Sequence, residues 1–268
     1  MAASTTANTN APAPAIPVRH IAAADLDASL RDGLRDFGVH RGDLLFVGLL
    51  YPAIGFIAGA AALGNALLPY FFPVAAGVAL LGPVAALGFY EIARRREAGL
   101  DSDWSHFLDI RKRPSLDSIV AVAGLLLAVF VAWVLVAGAL YTAFMGAAPV
   151  SIGDFLTRLF TTRGGWALIV VGNLAGLCFA WAVLSLSVVS LPMLVDRDIG
   201  ARAAVRTSIA AVRANRWLMA RWGLTVAALL VLGSIPAFIG LAFVLPWLGY
   251  STWHLYTRLI DRSALPHS

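Results

Sequence analysis

The chain has 268 residues, of which 60% are hydrophobic and only 13% charged, and its mean hydropathy is +0.80. That composition excludes an ordinary soluble domain. Lys and Arg exceed Asp and Glu by 20 to 15, yet the arginines flank apolar runs instead of forming a free basic domain, which excludes a nucleic-acid partner. The fold class read from this pattern is all-α, a polytopic transmembrane helical bundle.

Residues 1-18 are mostly Ala, Thr, Asn and Pro without charge, a composition that cannot bury a core, and are predicted to be disordered. No apolar signal-peptide core follows Arg19 at the required distance, so the first span is expected to stay as an uncleaved anchor. Residues 19-43 read as a cytoplasmic amphipathic segment. There Leu26, Leu30, Leu34 and Phe37 share one helical face while Asp25, Arg31, Asp32 and Arg35 fall elsewhere, which suits either a helix lying on the membrane surface or a packed lid on the bundle.

The transmembrane domain is expected over 44-260. A hydrocarbon core of about 30 Å needs roughly 20 apolar residues in a helix, and such runs cover Leu44 to Leu67, Tyr70 to Ile92, Ile119 to Phe144 and Trp166 to Val195. The stretch Trp222 to Tyr256 is too long for one ordinary span and carries Gly233, Pro236, Gly240 and Pro246. It reads as two short helices that turn near Pro236 to Gly240, which makes six spans arranged as three helical hairpins, with short interfacial helices.

Positive charge near span ends is held on the cytoplasmic side. Arg19, Arg31, Arg35 and Arg41 precede the first span, Arg94 to Arg96 and Arg111 to Arg113 follow the second, and Arg197, Arg202, Arg206, Arg213, Arg216 and Arg221 follow the fourth. Six spans add Arg258 and Arg262 to the same side, with 261-268 as a short cytoplasmic tail, and leave only Arg158 and Arg163 outside. Both termini are therefore expected in the cytoplasm.

Polar residues at membrane depth are costly and point to function or to helix association. Asn173 is the deepest amide, within Gly172-Asn173-Leu174-Ala175-Gly176. This small-residue motif is expected to admit a neighbouring helix and to give the amide a partner across the interface. Gly55 and Gly59 form a second such helix-packing pair. Glu91 and His254 lie near the ends of the second and sixth spans, where they can pair with arginines or with each other, or relay a proton. Asp196-Arg197-Asp198 resembles a local ion-pair turn that stops the fourth span. Arg202, Arg206, Arg213 and Arg216 form a basic stripe suited to anionic lipid headgroups.

A repeated punctuation runs through the even-numbered spans. Pro83 precedes Glu91 and Arg94, Pro192 precedes Asp196 and Arg197, and Pro246 precedes His254 and Arg258. The phosphate-loop, HExxH, GxSxG and GxGxxG signatures do not occur in the sequence, so no catalytic residue, cofactor or metal is expected and the chain reads as a non-enzyme. Asp101, Asp103, His106 and Asp109 offer a single nitrogen ligand, and Trp104, Phe107 and Leu108 among them suggest an interfacial helix. The one cysteine, Cys178, permits no intrachain disulfide.

The stretches Gly82 to Glu91, Ser190 to Asp198 and Thr252 to Tyr256 resemble a bacterial integral membrane family catalogued as domain of unknown function 2189, with similarity expected over about Leu44 to Arg262. The resemblance implies a multi-span protein of the bacterial inner membrane and supplies no catalytic residues. Two functions stand as expectations. One is an accessory or scaffold protein that binds another membrane component or forms a homo-oligomer in the lipid bilayer. The other is a small-solute or ion permease built from the hairpins and the Glu91 and His254 pair.

Overall fold

The computed structural model describes residues 16–39, 82–146, 152–236 and 239–265. Among them the ordered elements are helices: α1 (Ala23–Val39), α2 (Leu87–Glu97), α3 (Leu116–Met145), α4 (Ile152–Thr161), α5 (Arg163–Ser187), α6 (Ser190–Asp196), α7 (Ala201–Ala214), α8 (Arg216–Ser234) and α9 (Leu241–Leu259). A helical turn, Gly82–Ala85, precedes α2, and a 3-10 helix, Trp104–Lys112, separates α2 from α3.

Local chemistry explains several boundaries. The Asp103 carboxylate accepts from the Trp104 amide and opens the 3-10 helix, and the Thr162 hydroxyl accepts from the Gly165 amide at 2.9 Å at the start of α5; both satisfy amides that a helix start leaves open. Asp117 in the first turn of α3 complements the helix dipole. Gly146, at φ +71°, ends α3 in a conformation that side chains resist.

Among the described residues three segments are long and apolar enough to cross a membrane: α3, α5 continued by α6, and α8. At 1.5 Å per residue, the 30 residues of α3 reach about 45 Å and the 25 of α5 about 37 Å, both beyond a core of about 30 Å. The first turns of α3 and the last turn of α5 enter the larger of two buried clusters, here called the head.

The expected third and fourth spans correspond to α3 and to α5 with α6. The fourth is broken at Val188 and Val189, where the Val189 amide donates to the buried Ser208 hydroxyl at 3.2 Å. A tertiary contact thus satisfies a donor at the break. The stretch expected to form two short helices is α8 and α9, separated between Ser234 and Leu241. Among the described residues α9 falls short of the apolarity of α3, α5–α6 and α8, because Thr252, His254, Thr257 and Arg258 lower its hydropathy. The first expected span lies outside the described residues, as does most of the second; its end, Leu87 to Ile92, is buried in α2.

The head holds the main apolar core, drawn from α1, α2, α6, α7, α9 and the first turns of α3. Leu191, Met193, Leu194, Leu255, Tyr256 and Leu259 are fully buried there, each large side chain contributing about 1.5–3 kcal/mol. By contrast, only 6% of the most apolar window of α5–α6 is fully buried: one side of α5 packs on α3, while Trp166, Val170, Leu174 and Leu177 stay exposed. Helix α1 packs along α9: the Trp247 indole donates to the Leu30 carbonyl at 2.8 Å, and Phe37 meets Phe243 edge-on at 4.7 Å. It is therefore a packed element of the head.

The two ends of the described chain also meet. Val18 pairs with Ile260, the Arg19 amide donates to the Leu259 carbonyl at 2.8 Å, and the Asp261 amide donates to the Pro17 carbonyl at 3.2 Å. The expected disordered tail is thus too long by at least Ile16 to Val18; residues 1–15 lie outside the described part.

Candidate functional site

The head gathers the three proline-marked segments. Helix α2 follows Pro83, α6 contains Pro192 and α9 contains Pro246, and the three pack on one another through buried apolar side chains. Their ionisable residues form a connected set of pairs centred on α2.

Glu91 is 1% exposed. Its carboxylate accepts from Arg94 at 3.0 Å from Nε and 2.7 Å from Nη2, a bidentate pair one helical turn long. Arg113 reaches the same carboxylate at 3.8 Å and donates to the carbonyls of Val195 and Asp196. It thereby ties the end of the 3-10 segment to the end of α6. The Glu91 hydrogen bond outweighs burial and raises the Arg94 pKa, whereas burial lowers that of Arg113.

Every other ionisable residue of α2 reaches a different element. Arg95 faces Asp109 of the 3-10 helix at 3.7 Å, and Arg96 faces Asp36 of α1 at 3.1 Å. Glu97 accepts from the Trp253 indole at 3.1 Å and pairs with Arg262 beyond α9. The arginine cluster Arg94 to Arg96, legible as a topology signal, therefore also fastens the head together.

Asp196 is the second centre. It accepts from the Tyr256 hydroxyl at 2.8 Å and from Arg262 Nε at 2.9 Å. The local turn expected from Asp196-Arg197-Asp198 is thus replaced, for Asp196, by long-range partners; Arg197 begins the extended connection to α7. His254 does not meet Glu91: its Nε2 lies 2.8 Å from Asp36 Oδ2. One turn further along α1, Asp32 accepts from Arg258 at 2.6 Å. Burial raises the Asp32 pKa, and the Arg258 hydrogen bond and charge outweigh it, leaving the group below its usual value.

A smaller cluster lies on the 3-10 segment. His106 Nδ1 is 2.7 Å from Asp109 and Nε2 is 3.2 Å from Asp101, so both ring nitrogens face carboxylates. Hydrogen bonds to Asp109 and Asp101 raise the His106 pKa, while Lys112 and His106 hold Asp109 down at about 2. Phe107 anchors the segment edge-on to Phe89 at 5.0 Å, with Trp104 and Leu108 exposed beside it.

The remaining sequence candidates lie apart from this network. Arg202, Arg206, Arg213 and Arg216 are all exposed, the first three on α7 and the last at the start of α8. Gly176 approaches Trp133 of α3, where an added Cβ would lie 3.4 Å from the ring, but Gly172 meets only Leu168 of its own helix. The cross-helix partner expected for Asn173 is absent among the described residues: its amide donates back to the Ile169 carbonyl at 2.6 Å. Gly55 and Gly59 lie outside the described residues.

Residues that the sequence did not single out as functional are Asp36, Glu97, Trp253, Tyr256, Arg262 and Asn215. The Asn215 side chain accepts from the Ile21 amide at 3.0 Å and donates to the Arg19 carbonyl at 3.1 Å, holding the chain start against the α7–α8 corner. Trp253 and Tyr256 fall within the Thr252 to Tyr256 motif, the one signal that points to them. Chemically, the head is a set of mutually neutralising pairs spread over α1, α2, α6 and α9, with its carboxylates engaged by guanidinium, phenol, indole or imidazole groups.

Residues 71–196 match the model of a family described as predicted integral membrane protein, the domain of unknown function 2189. The match includes Glu91, Arg94 and Arg113 and ends on Asp196. It is shorter than the expected Leu44 to Arg262, so His254, Tyr256 and Arg262 complete the head from outside it. The comparisons with curated proteins and with solved structures give no match.

Proposed function

We propose that this integral membrane protein is a non-enzymatic accessory or scaffold protein, which binds another membrane protein through the outer face of α5. The observation that carries this reading is Asn173. It is the eleventh of the 25 residues of α5, near the middle of a helix that crosses the hydrocarbon core, and it is exposed on the molecule's surface. A side-chain amide facing lipid at that depth is costly, and a hydrogen-bonding partner on another helix relieves the cost. Around it Trp166, Val170, Leu174 and Leu177 present an exposed apolar surface.

In this reading the chain crosses a bacterial inner membrane six times with both termini in the cytoplasm. The adjacency of Val18 and Ile260 supports an even number of crossings between them. The apolar runs over 44–67 and 70–92, with α3, α5, α8 and α9, which starts beside the end of α8 at Gly233 and returns to the head, supply six. A permease would use Glu91 and His254 as mobile ionisable groups; their engagement with Arg94 and Asp36 supports a structural role instead.

Affinity isolation from native membranes in mild detergent tests the proposal. The intact chain is expected to bring down a distinct membrane protein in fixed stoichiometry, and Asn173→Val to lose it while keeping yield and melting temperature. Recovery of the chain alone, or only with itself, contradicts the accessory role and favours the permease.

A further inference from the structure

Two surface grooves meet at one residue of α5. The first, of about 560 Å³, lies between α5 and α7 and is lined by Trp181, Ser185, Ile209, Val212, Arg213 and Arg216. The second, of about 410 Å³, lies between α3 and α5 and is lined by Ala128, Ala132, Cys178 and Phe179, without a charged side chain. Ala182 borders both. Cys178, Ala182 and Leu186 are spaced four residues apart, so the two grooves follow one face of α5.

The track changes character along its length. At its lower end Ser185 is two residues from the end of α5, level with the head, where the two guanidinium groups stand. Cys178 is nine residues from that end, about 13 Å deeper into the apolar part of the helix. Neither Arg213 nor Arg216 forms a salt bridge among the described residues, whereas Arg94, Arg96, Arg258 and Arg262 all do. Arg216 also lies 5.7 Å from the centre of the Trp217 ring, which is 77% exposed. A tryptophan so placed suits the interface between headgroups and acyl chains.

We propose that an anionic diacyl phospholipid occupies this track. Arg213 and Arg216 hold its phosphate, and one acyl chain runs past Ala182 into the apolar groove against Ala128, Ala132 and Phe179. Of the four arginines in the basic stripe, this assigns the binding to two; Arg202 and Arg206 border neither groove. The site lies on the opposite side of α5 from Asn173 and does not depend on the partner proposed there.

The test uses the full chain in nanodiscs of phosphatidylcholine doped with phosphatidylglycerol, with retained lipid counted by native mass spectrometry. Arg213→Ala with Arg216→Ala is expected to weaken phosphatidylglycerol retention about 30-fold, at the usual worth of two arginine contacts. Arg202→Ala with Arg206→Ala, which removes the same charge, is expected to leave retention unchanged. Ala182→Phe, which fills the junction and keeps both arginines, is expected to weaken it as well. In the unaltered chain, a phosphatidylglycerol with a photoreactive acyl chain should label peptides around 128–132 and 178–182.

Equal losses in the two arginine pairs would reduce the effect to bulk charge and overturn the site. Labelling confined to other peptides would overturn it too. So would crosslinks from Cys178 to residues 40–81 or to a second copy, since either would mean that protein fills the track.

Discussion

Asp196 and Arg262, 66 residues apart in the chain, form an ion pair in which Nε lies 2.9 Å from Oδ2. The Tyr256 hydroxyl shares that same carboxylate oxygen at 2.8 Å. The chain beyond α9 is thereby fastened to the last residue of α6, where the family match ends. Asp196→Asn is expected to cost about 2–3 kcal/mol in thermal unfolding, since it weakens charged hydrogen bonds in a buried setting. Combined with Tyr256→Phe, the loss should fall short of additivity by about 1 kcal/mol, because both changes remove one contact. Strict additivity would mean that the phenol contributes elsewhere.

Glu91→Gln removes the charge that Arg94 and Arg113 face inside the head. Breaking one side of a buried pair leaves the other uncompensated, at about 3–5 kcal/mol. The expected result is a marked fall in melting temperature, with proton or solute flux in proteoliposomes indistinguishable from that of the unaltered chain. A flux that changes while stability does not would reassign Glu91 to a transport path.

The 3-10 segment is expected to respond to pH through His106 and Asp109. His106 has a raised pKa in the folded chain, so its contribution is complete below the ordinary value of 6.5 and is lost as pH rises through the folded value. Asp109 is lowered from 3.8 to about 2, so its contribution is present above 3.8 and disappears as pH falls toward 2. Hydrogen exchange over 104–112 should therefore show more protection at pH 5.5 than at pH 8.5 in the natural chain. His106→Gln should abolish that difference; its persistence would place the sensor elsewhere.

Gly33→Ala tests the contact between α1 and α9. An added Cβ would lie 2.5 Å from the Ser251 backbone nitrogen, which a rotamer change cannot relieve. Overpacking of this kind costs about 1–3 kcal/mol, and protease cleavage within α1 should rise in parallel. Unchanged stability and cleavage would show that α1 is not held tightly against α9.

The sequence made α3 legible almost to its ends, expected from Ile119 to Phe144 and found from Leu116 to Met145, because a long apolar run has few alternatives to a helix. The break at Val188 and Val189 was not legible. It is stabilised by Ser208 from another helix, and a contact of that kind leaves no mark in local periodicity. Glu91, Asp196 and His254 stood out as ionisable groups at span ends, yet their main long-range partners, Arg113, Arg262 and Asp36, lie 22 to 218 residues away. Pairing over such distances is set by how helices pack, and charge order along the chain does not specify it. The polar groups of α9 have a related explanation: packed by α1 and α2 within the head, it tolerates a histidine and an arginine that a lipid-facing helix resists.

The most direct test of the proposed partner-binding role is site-specific photo-crosslinking in native membranes, with a diazirine-bearing residue replacing Asn173 in one sample and Cys178 in another. A protein adduct of one defined mass at position 173, absent at position 178, is the predicted result. Lipid adducts alone at position 173 would contradict the role, leaving Asn173 as an amide that α5 satisfies by itself.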